Sequence, residues 1–159
     1  MGLARFLRSL TRFRRAQPMV GRIHAVILRL SGGRIRRSRI LAGGQPVLAL
    51  TTTGRSSGAP RTTVVAYLRH AEAYAVGALN LGSDRDPAWC LNLRSNPRAT
   101  IAVDGETREV LAREATGPEA EALWRGFIER LPATANSRAL ARREVPMFVL
   151  DPVRRASRI

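Results

Sequence analysis

Between residues 47 and 112 the chain is written in short apolar and β-branched runs, each stopped within a few residues by a turn. Residues 47–53 form the first run, which ends at Gly54; 54–60 is turn-rich; 62–68 is the second run. His70 to Glu72 reverse the chain, and 73–79 return it. Residues 99–103 and 107–112 flank Asp104-Gly105, a two-residue hairpin turn of the favoured kind, because both positions tolerate positive φ. A sixth run, 146–150, closes at Asp151-Pro152. Crossover helices do not alternate regularly with these strands, so a doubly wound parallel sheet is disfavoured. A small, mostly antiparallel barrel with appended helices is the architecture that fits.

The helices are signalled by their ends. Asp86 followed by Pro87 predicts a cap and a first turn for a helix over 89–94, stopped by Asn96-Pro97. Thr116 and Glu119 have capping-box spacing, with Pro118 in the first turn. That helix is predicted to reach about Leu131, with Leu123, Phe127 and Leu131 on one face. Residues 2–15 read as an amphipathic helix: Phe6, Leu7, Leu10 and Phe13 recur at helical spacing among Arg5, Arg8, Arg12 and Arg15. Pro18 opens a second helix to about Leu30. The expected organisation is a basic helical arm over 1–40, a barrel domain over 41–153 and a short basic tail over 154–159.

Charge is distributed unevenly. Residues 1–71 hold 14 arginines and no acid; residues 72–159 hold 13 arginines and 12 acids. Lysine is absent, which codon bias explains; codon bias does not explain the missing acids. A net charge of +15 raises the question of nucleic acid. Over most of the basic half, though, no aromatics interleave with the arginines, and no helix-turn-helix or zinc-finger pattern is present. The arm lacks the continuous apolar stretch of a secretory signal, and no run is long enough to cross a membrane. Two readings of the arm stand: it lies on an anionic membrane surface, or Phe6, Leu10 and Phe13 pack on the domain. One cysteine, Cys90, and two histidines, His24 and His70, argue against disulfide and metal frameworks. Cys90, inside a predicted helix, reads as a buried inert thiol.

Two segments offer chemistry. Thr51-Thr52-Thr53-Gly54-Arg55-Ser56-Ser57-Gly58-Ala59-Pro60-Arg61 lies between two predicted strands. Glycines let N–H groups converge on an anion, hydroxyls add donors, and the two arginines supply forked, charged hydrogen bonds. The residues fit a phosphate cradle and also an ordinary hairpin loop; they match neither the Walker nor the dinucleotide glycine spacing. The second segment is a polar loop, 80–86, feeding the helix that carries Trp89. A helix N-terminus attracts anions and a tryptophan there can wall a flat ring; the plainer reading has Trp89 filling the core. Asp84, Arg85 and Asp86 read as a solvated loop.

Both segments resemble the deazaflavin-dependent nitroreductase family. The likeness runs through Thr51-Thr52-Thr53-Gly54-Arg55-x-Ser57-Gly58-x-Pro60-Arg61 and then Asp86-Pro87-Ala88-Trp89-x-Leu91-Asn92-Leu93-x-x-Asn96-Pro97-Arg98. It continues through Ala112-Arg113-Glu114 and Val145-Pro146-x-x-Val149-Leu150-x-Pro152, covering about residues 35–153. The resemblance implies an α+β split β-barrel of the pyridoxamine-phosphate-oxidase-like, FMN-binding type. It implies coenzyme F-420, an 8-hydroxy-5-deazaflavin, with FMN as the alternative ring. The implied reaction is hydride delivery to a quinone-like, nitro or other lipophilic acceptor, in the cytoplasm or at its membrane face.

Carried onto this chain, the likeness assigns Arg55, Ser56, Ser57 and Arg61 to the phosphate and acidic tail. Val64 and Ala66 follow on the next strand. Gly77, Ala78, Leu79 and Asn80 run beside the ring with backbone contacts, Trp89 borders ring and acceptor, and Asn92 contacts the cofactor. Leu79, Trp89, Leu131 and Thr134 form the acceptor side. No acid–base dyad is expected, since the cofactor carries the chemistry. Ser56 stands where the family usually has a cation, Val64 where it has proline, and Leu79 where serine is common. Residues 131–137 lack the tyrosines of nitroimidazole-activating members.

Overall fold

The computed structural model describes residues 37–38 and 45–153. The two predicted N-terminal helices and the 154–159 tail lie outside the described residues. Eight strands and three helices make up the described part: β1 (Arg37–Ser38), β2 (Gln45–Thr53), β3 (Pro60–Ala66), β4 (Leu68–His70), β5 (Ala73–Gly77), α1 (Ala88–Ser95), β6 (Arg98–Val103), β7 (Glu106–Ala115), α2 (Gly117–Arg130), α3 (Ala133–Leu140) and β8 (Met147–Pro152). A single 3-10 turn, Asn80–Gly82, precedes α1.

The strands form one sheet in the order β1-β2-β6-β7-β8-β5-β4, with β3 paired to the other side of β2. The pairings of β2 with β3 and β6, of β6 with β7, of β7 with β8 and of β8 with β5 are all antiparallel. The sheet curls until β3 touches β5, and Tyr67 meets Tyr74 edge-on at 5.4 Å between centroids. This is a split β-barrel. Asp104 (φ 52) and Gly105 (φ 85) turn the β6–β7 hairpin as expected.

Alternation along the strands makes two cores. Tyr74, Val76 and Ala78, with Phe148 and Leu150, face the barrel interior beside Leu48, Leu50, Ile101 and Val110; α1 adds Trp89, Cys90 and Leu93 there. Ala73 and Ala75, with Met147 and Val149, face the other way and are covered by Leu123, Trp124 and Phe127 of α2. Trp124 also donates its indole N–H to the Val145 carbonyl at 3.1 Å, so its polar edge is satisfied within the core.

Four expectations need correction. Asp86 does not cap α1: Pro87 occupies the cap position, and the Asp86 carboxylate lies 2.6 Å from both Arg94 Nη1 and Arg143 Nη1. It is therefore no solvated loop residue. Thr116 and Glu119 form no capping box, because Arg113 takes the Glu119 carboxylate with two hydrogen bonds of 2.7 Å. That pairing holds the Glu119 carboxyl below its ordinary range. The expected strand over 62–68 breaks before Leu68, so β3 and β4 are separate strands that pair with different partners. Residues 133–140, which carried no helix signal beyond Pro132, form α3.

Candidate functional site

The site is placed by strand direction. Because successive neighbours from β2 through β6, β7 and β8 to β5 are antiparallel, β2 and β5 run the same way. The loops leaving them, 54–59 after β2 and 78–87 after β5, therefore emerge at the same end of the barrel. Helix α1 follows the second loop and packs against β2, bridging the two.

The loop after β2 is a tight cradle. The Gly54 N–H donates to Ala59 O at 2.8 Å and the Gly58 N–H to Gly54 O at 2.7 Å. A side chain at Gly54 would put its Cβ 2.7 Å from Ser57 Oγ and 3.1 Å from Ala59 O, so any larger residue there must turn the serine aside and push on the loop backbone. Gly58 (φ +65) adopts the left-handed conformation that lets the chain turn back into β3. Arg55, Ser56, Ser57 and Arg61 are exposed on this loop, and Arg61 Nη2 lies 3.5 Å from Ser57 Oγ. No carboxylate of the described residues pairs with Arg55 or Arg61.

Asn92 fastens the cradle from below. It is 5% exposed; its Nδ2 donates to Thr52 Oγ1 at 2.9 Å, and its Oδ1 accepts the Arg55 backbone N–H at 3.1 Å. Asn92 thus supports the loop from inside the protein through its oxygen and one of its two amide N–H groups. Trp89 is likewise drawn inward, meeting Phe148 edge-on at 5.7 Å between centroids. Its ring contributes to the interior core.

The loop after β5 is held by an arginine that sequence reasoning passed over. Arg143 donates from Nη2 to Ala78 O at 2.7 Å, from Nε to Ser83 O at 3.0 Å and from Nη1 to Glu144 O at 3.1 Å. Its Nη1 also lies 2.6 Å from Asp86 Oδ1, an oxygen shielded from solvent. Arg94 continues the chain of charges, reaching Asp86 and gripping Glu114 with two bonds of 2.9 Å. Glu114 holds Arg94 more firmly in its charged form. Cys90 beside them is fully buried, and burial pushes its thiol pKa up to about 12, which disfavours the thiolate a nucleophile needs.

Backbone bonding narrows the expected ring contacts. The Ala78 N–H donates to Pro146 O at 2.9 Å and the Ala78 carbonyl is taken by Arg143, so Ala78 has no backbone group to spare. The Leu79 N–H has no partner among the described residues. Gly77 is a glycine because of Trp124: a Cβ there would lie 2.8 Å from the indole Cη2. Val64 packs with Val47 and Ala49, and Ala66 against the α2 core; both point away from the interior face that Val65 serves. Leu131 is buried in the α2 core, which Leu79 also touches, and the Thr134 hydroxyl donates to the Leu131 carbonyl at 2.6 Å. Leu79, Leu131 and Thr134 thus lie together beside the α2 core, and Trp89 lies in the interior core.

Comparison with known proteins decides the family. The F420H(2)-dependent quinone reductase family model matches residues 20–152. This chain belongs to that family. It is an oxidoreductase whose cofactor is coenzyme F-420. The F420H(2)-dependent quinone reductase Rv1261c of Mycobacterium tuberculosis is 33% identical over 132 residues, 81% of this chain and 87% of that protein. A putative member from the same organism, Rv3178, is 27% identical over 107 residues, 67% of this chain and 90% of that protein. The solved structure of an F420-H2 dependent reductase (FDR-A) superposes with a TM-score of 0.62 at 28% identity, covering 67% of this chain and 94% of its own. A heme-binding protein from Mycobacterium smegmatis, 21% identical with a TM-score of 0.52, covers 76% of this chain and 50% of its own and shares the fold.

Proposed function

We propose that this chain reduces a quinone-like lipophilic acceptor, using the loop after β2 to hold the anionic tail of the deazaflavin and the loop after β5 to seat its ring. The observation that carries the tail assignment is the pair of exposed arginines, Arg55 and Arg61, on a closed glycine loop with no acid of the described residues beside them. Guanidinium forks match phosphate oxygens, and charge-assisted bonds of this kind are worth roughly 1.5–3 kcal/mol each. Ser56 and Ser57 add hydroxyl donors. Asn92 keeps the Arg55 backbone in register, so the cradle is formed before a ligand arrives.

Bound there, the reduced deazaflavin supplies a hydride. The protein's part is orientation. The Leu79 N–H, which has no partner among the described residues, offers a donor to the ring edge, and the partly buried Leu79 side chain, packed against the α2 core, sets the shape of the loop there. A quinone taking up that hydride and a solvent proton becomes a hydroquinone, which balances without an acid–base pair from the chain.

The test is a parallel titration of the purified protein with oxidised deazaflavin and with FMN, read by fluorescence, followed by oxidation of the reduced deazaflavin by a soluble quinone. Tight deazaflavin binding, weaker FMN binding and quinone-dependent oxidation are expected. No fluorescence change at saturating protein overturns the proposal.

The arm over 1–40 is proposed to lie on anionic lipid at the cytoplasmic face, on the strength of its acid-free amphipathic pattern. No helix of the described residues is long and apolar enough to cross a membrane. Full-length protein should co-sediment with anionic vesicles more than a chain starting at Leu41; equal partition removes the membrane contact.

A further inference from the structure

We infer that Arg143 is a positioning residue for hydride transfer: by clamping the Ala78 and Ser83 carbonyls it fixes the backbone of residues 78–83 that seats the deazaflavin ring. This rests on the ring placement proposed above. Arg143 lies 65 residues from Ala78 and 60 from Ser83 in sequence, and its side chain is only 14% exposed. Two of its three hydrogen bonds to backbone carbonyls, those to Ala78 and Ser83, flank the 3-10 turn; the third goes to neighbouring Glu144. That turn needs holding. Asn80 (φ 41) and Leu81 (φ 54) both sit in the left-handed region, which is unfavourable for a branched side chain such as leucine. Asp86 meets the clamp at Nη1, 2.6 Å away, and ties it through Arg94 to Glu114 of β7.

A planar guanidinium can reach two carbonyls and a carboxylate at once; an ammonium at the same place meets one direction well and the others poorly. The clamp takes the Ala78 carbonyl, while the Ala78 N–H is bonded to Pro146 O, so both backbone groups of that residue are held. It touches neither Arg55 nor Arg61. Loss of the clamp should therefore alter ring geometry and spare tail binding, and displacements near 1 Å in such sites cost on the order of a hundredfold in rate.

The experiment compares wild type, Arg143→Lys and Arg143→Ala by three measurements. These are deazaflavin affinity, the rate of reduced-deazaflavin oxidation by a soluble quinone at saturating cofactor, and amide hydrogen exchange over residues 78–86. Arg143→Lys should stay folded, hold deazaflavin within about threefold of wild type, and lose about tenfold in rate. Arg143→Ala should lose about a hundredfold, and millimolar guanidinium ion should restore part of that rate without affecting wild type. Exchange over 78–86 should quicken in both variants. If Arg143→Ala does not fold, Arg143→Lys decides. A lysine variant with wild-type rate overturns the inference, and so does a rate that falls only in step with affinity. Should wild type fail to oxidise reduced deazaflavin, the proposed function is lost. The exchange measurement then judges the clamp separately: unchanged exchange over 78–86 overturns it too.

Discussion

Two sets of arginines stand at the same end of this barrel and do opposite work. Arg55 and Arg61 are exposed on a glycine loop and meet no carboxylate of the described residues. Arg143 and Arg94, on the neighbouring loop and helix, are spent on carbonyls, Asp86 and Glu114. Identical side chains are thus ligand-facing in one region and architectural in the other. Partnering distinguishes them, and composition does not. A cation already held by carboxylates or carbonyls is closed to substrate even where, as at Arg94, it is partly exposed; an unpaired one adds little to stability and is open to an anion.

The largest effect should come from emptying the cradle. Arg55→Ala combined with Arg61→Ala is expected to weaken deazaflavin binding by at least about a hundredfold while shifting the melting temperature by no more than about 2 °C. Both quantities come from one titration and one thermal scan, and a large loss of stability would break the contrast. Wild-type affinity should also fall as salt rises from low to physiological ionic strength, because exposed charges are screened over roughly 8–10 Å.

Next is Asn92, which joins the two regions. Asn92→Ala leaves the Arg55 N–H without its acceptor, removes one of two partners of the Thr52 hydroxyl, and should cost about 1–3 kcal/mol in urea unfolding, with a several-fold loss of affinity. Stability loss with unchanged affinity would show that the cradle does not depend on its support. Arg94→Ala should cost only about 1 kcal/mol, given its partly exposed partners, and leave deazaflavin affinity alone.

The smallest effect concerns Cys90. Its thiol is raised from 9.0 to about 12, so the folded state resists ionisation that the unfolded state undergoes more readily. The stabilisation is complete below about pH 9 and is lost as pH climbs toward 12. Cys90→Ala should therefore show a shallower decline in stability over that interval, measured by unfolding at stepped pH. An unchanged slope would refute the assignment.

Where a feature depends on neighbours in sequence, it was legible. The β6–β7 hairpin follows from Asp104-Gly105, the buried face of α2 from the spacing of Leu123, Phe127 and Leu131, and the closed loop from the glycines around Arg55. Where a side chain finds a distant partner, local rules failed. Asp86 has cap spacing, but two arginines, one of them 57 positions away, compete for its carboxylate with full charge. Glu119 has capping-box spacing, but Arg113 offers it a bidentate pair. Asn92 and Trp89 sit in the motif that carries the family likeness, and the motif does not say which way they face. Arg143 drew no attention because nothing near it in sequence marks the carbonyls it holds.

Gly77 and Trp124 occupy one shared space from opposite sides of β5 and its covering helix. A substituent at position 77 has room only where the indole recedes, and a smaller residue at 124 leaves a void that a methyl group at 77 could fill. The two sites should therefore change together across related sequences, and anyone repacking β5 against α2 should move them as a pair.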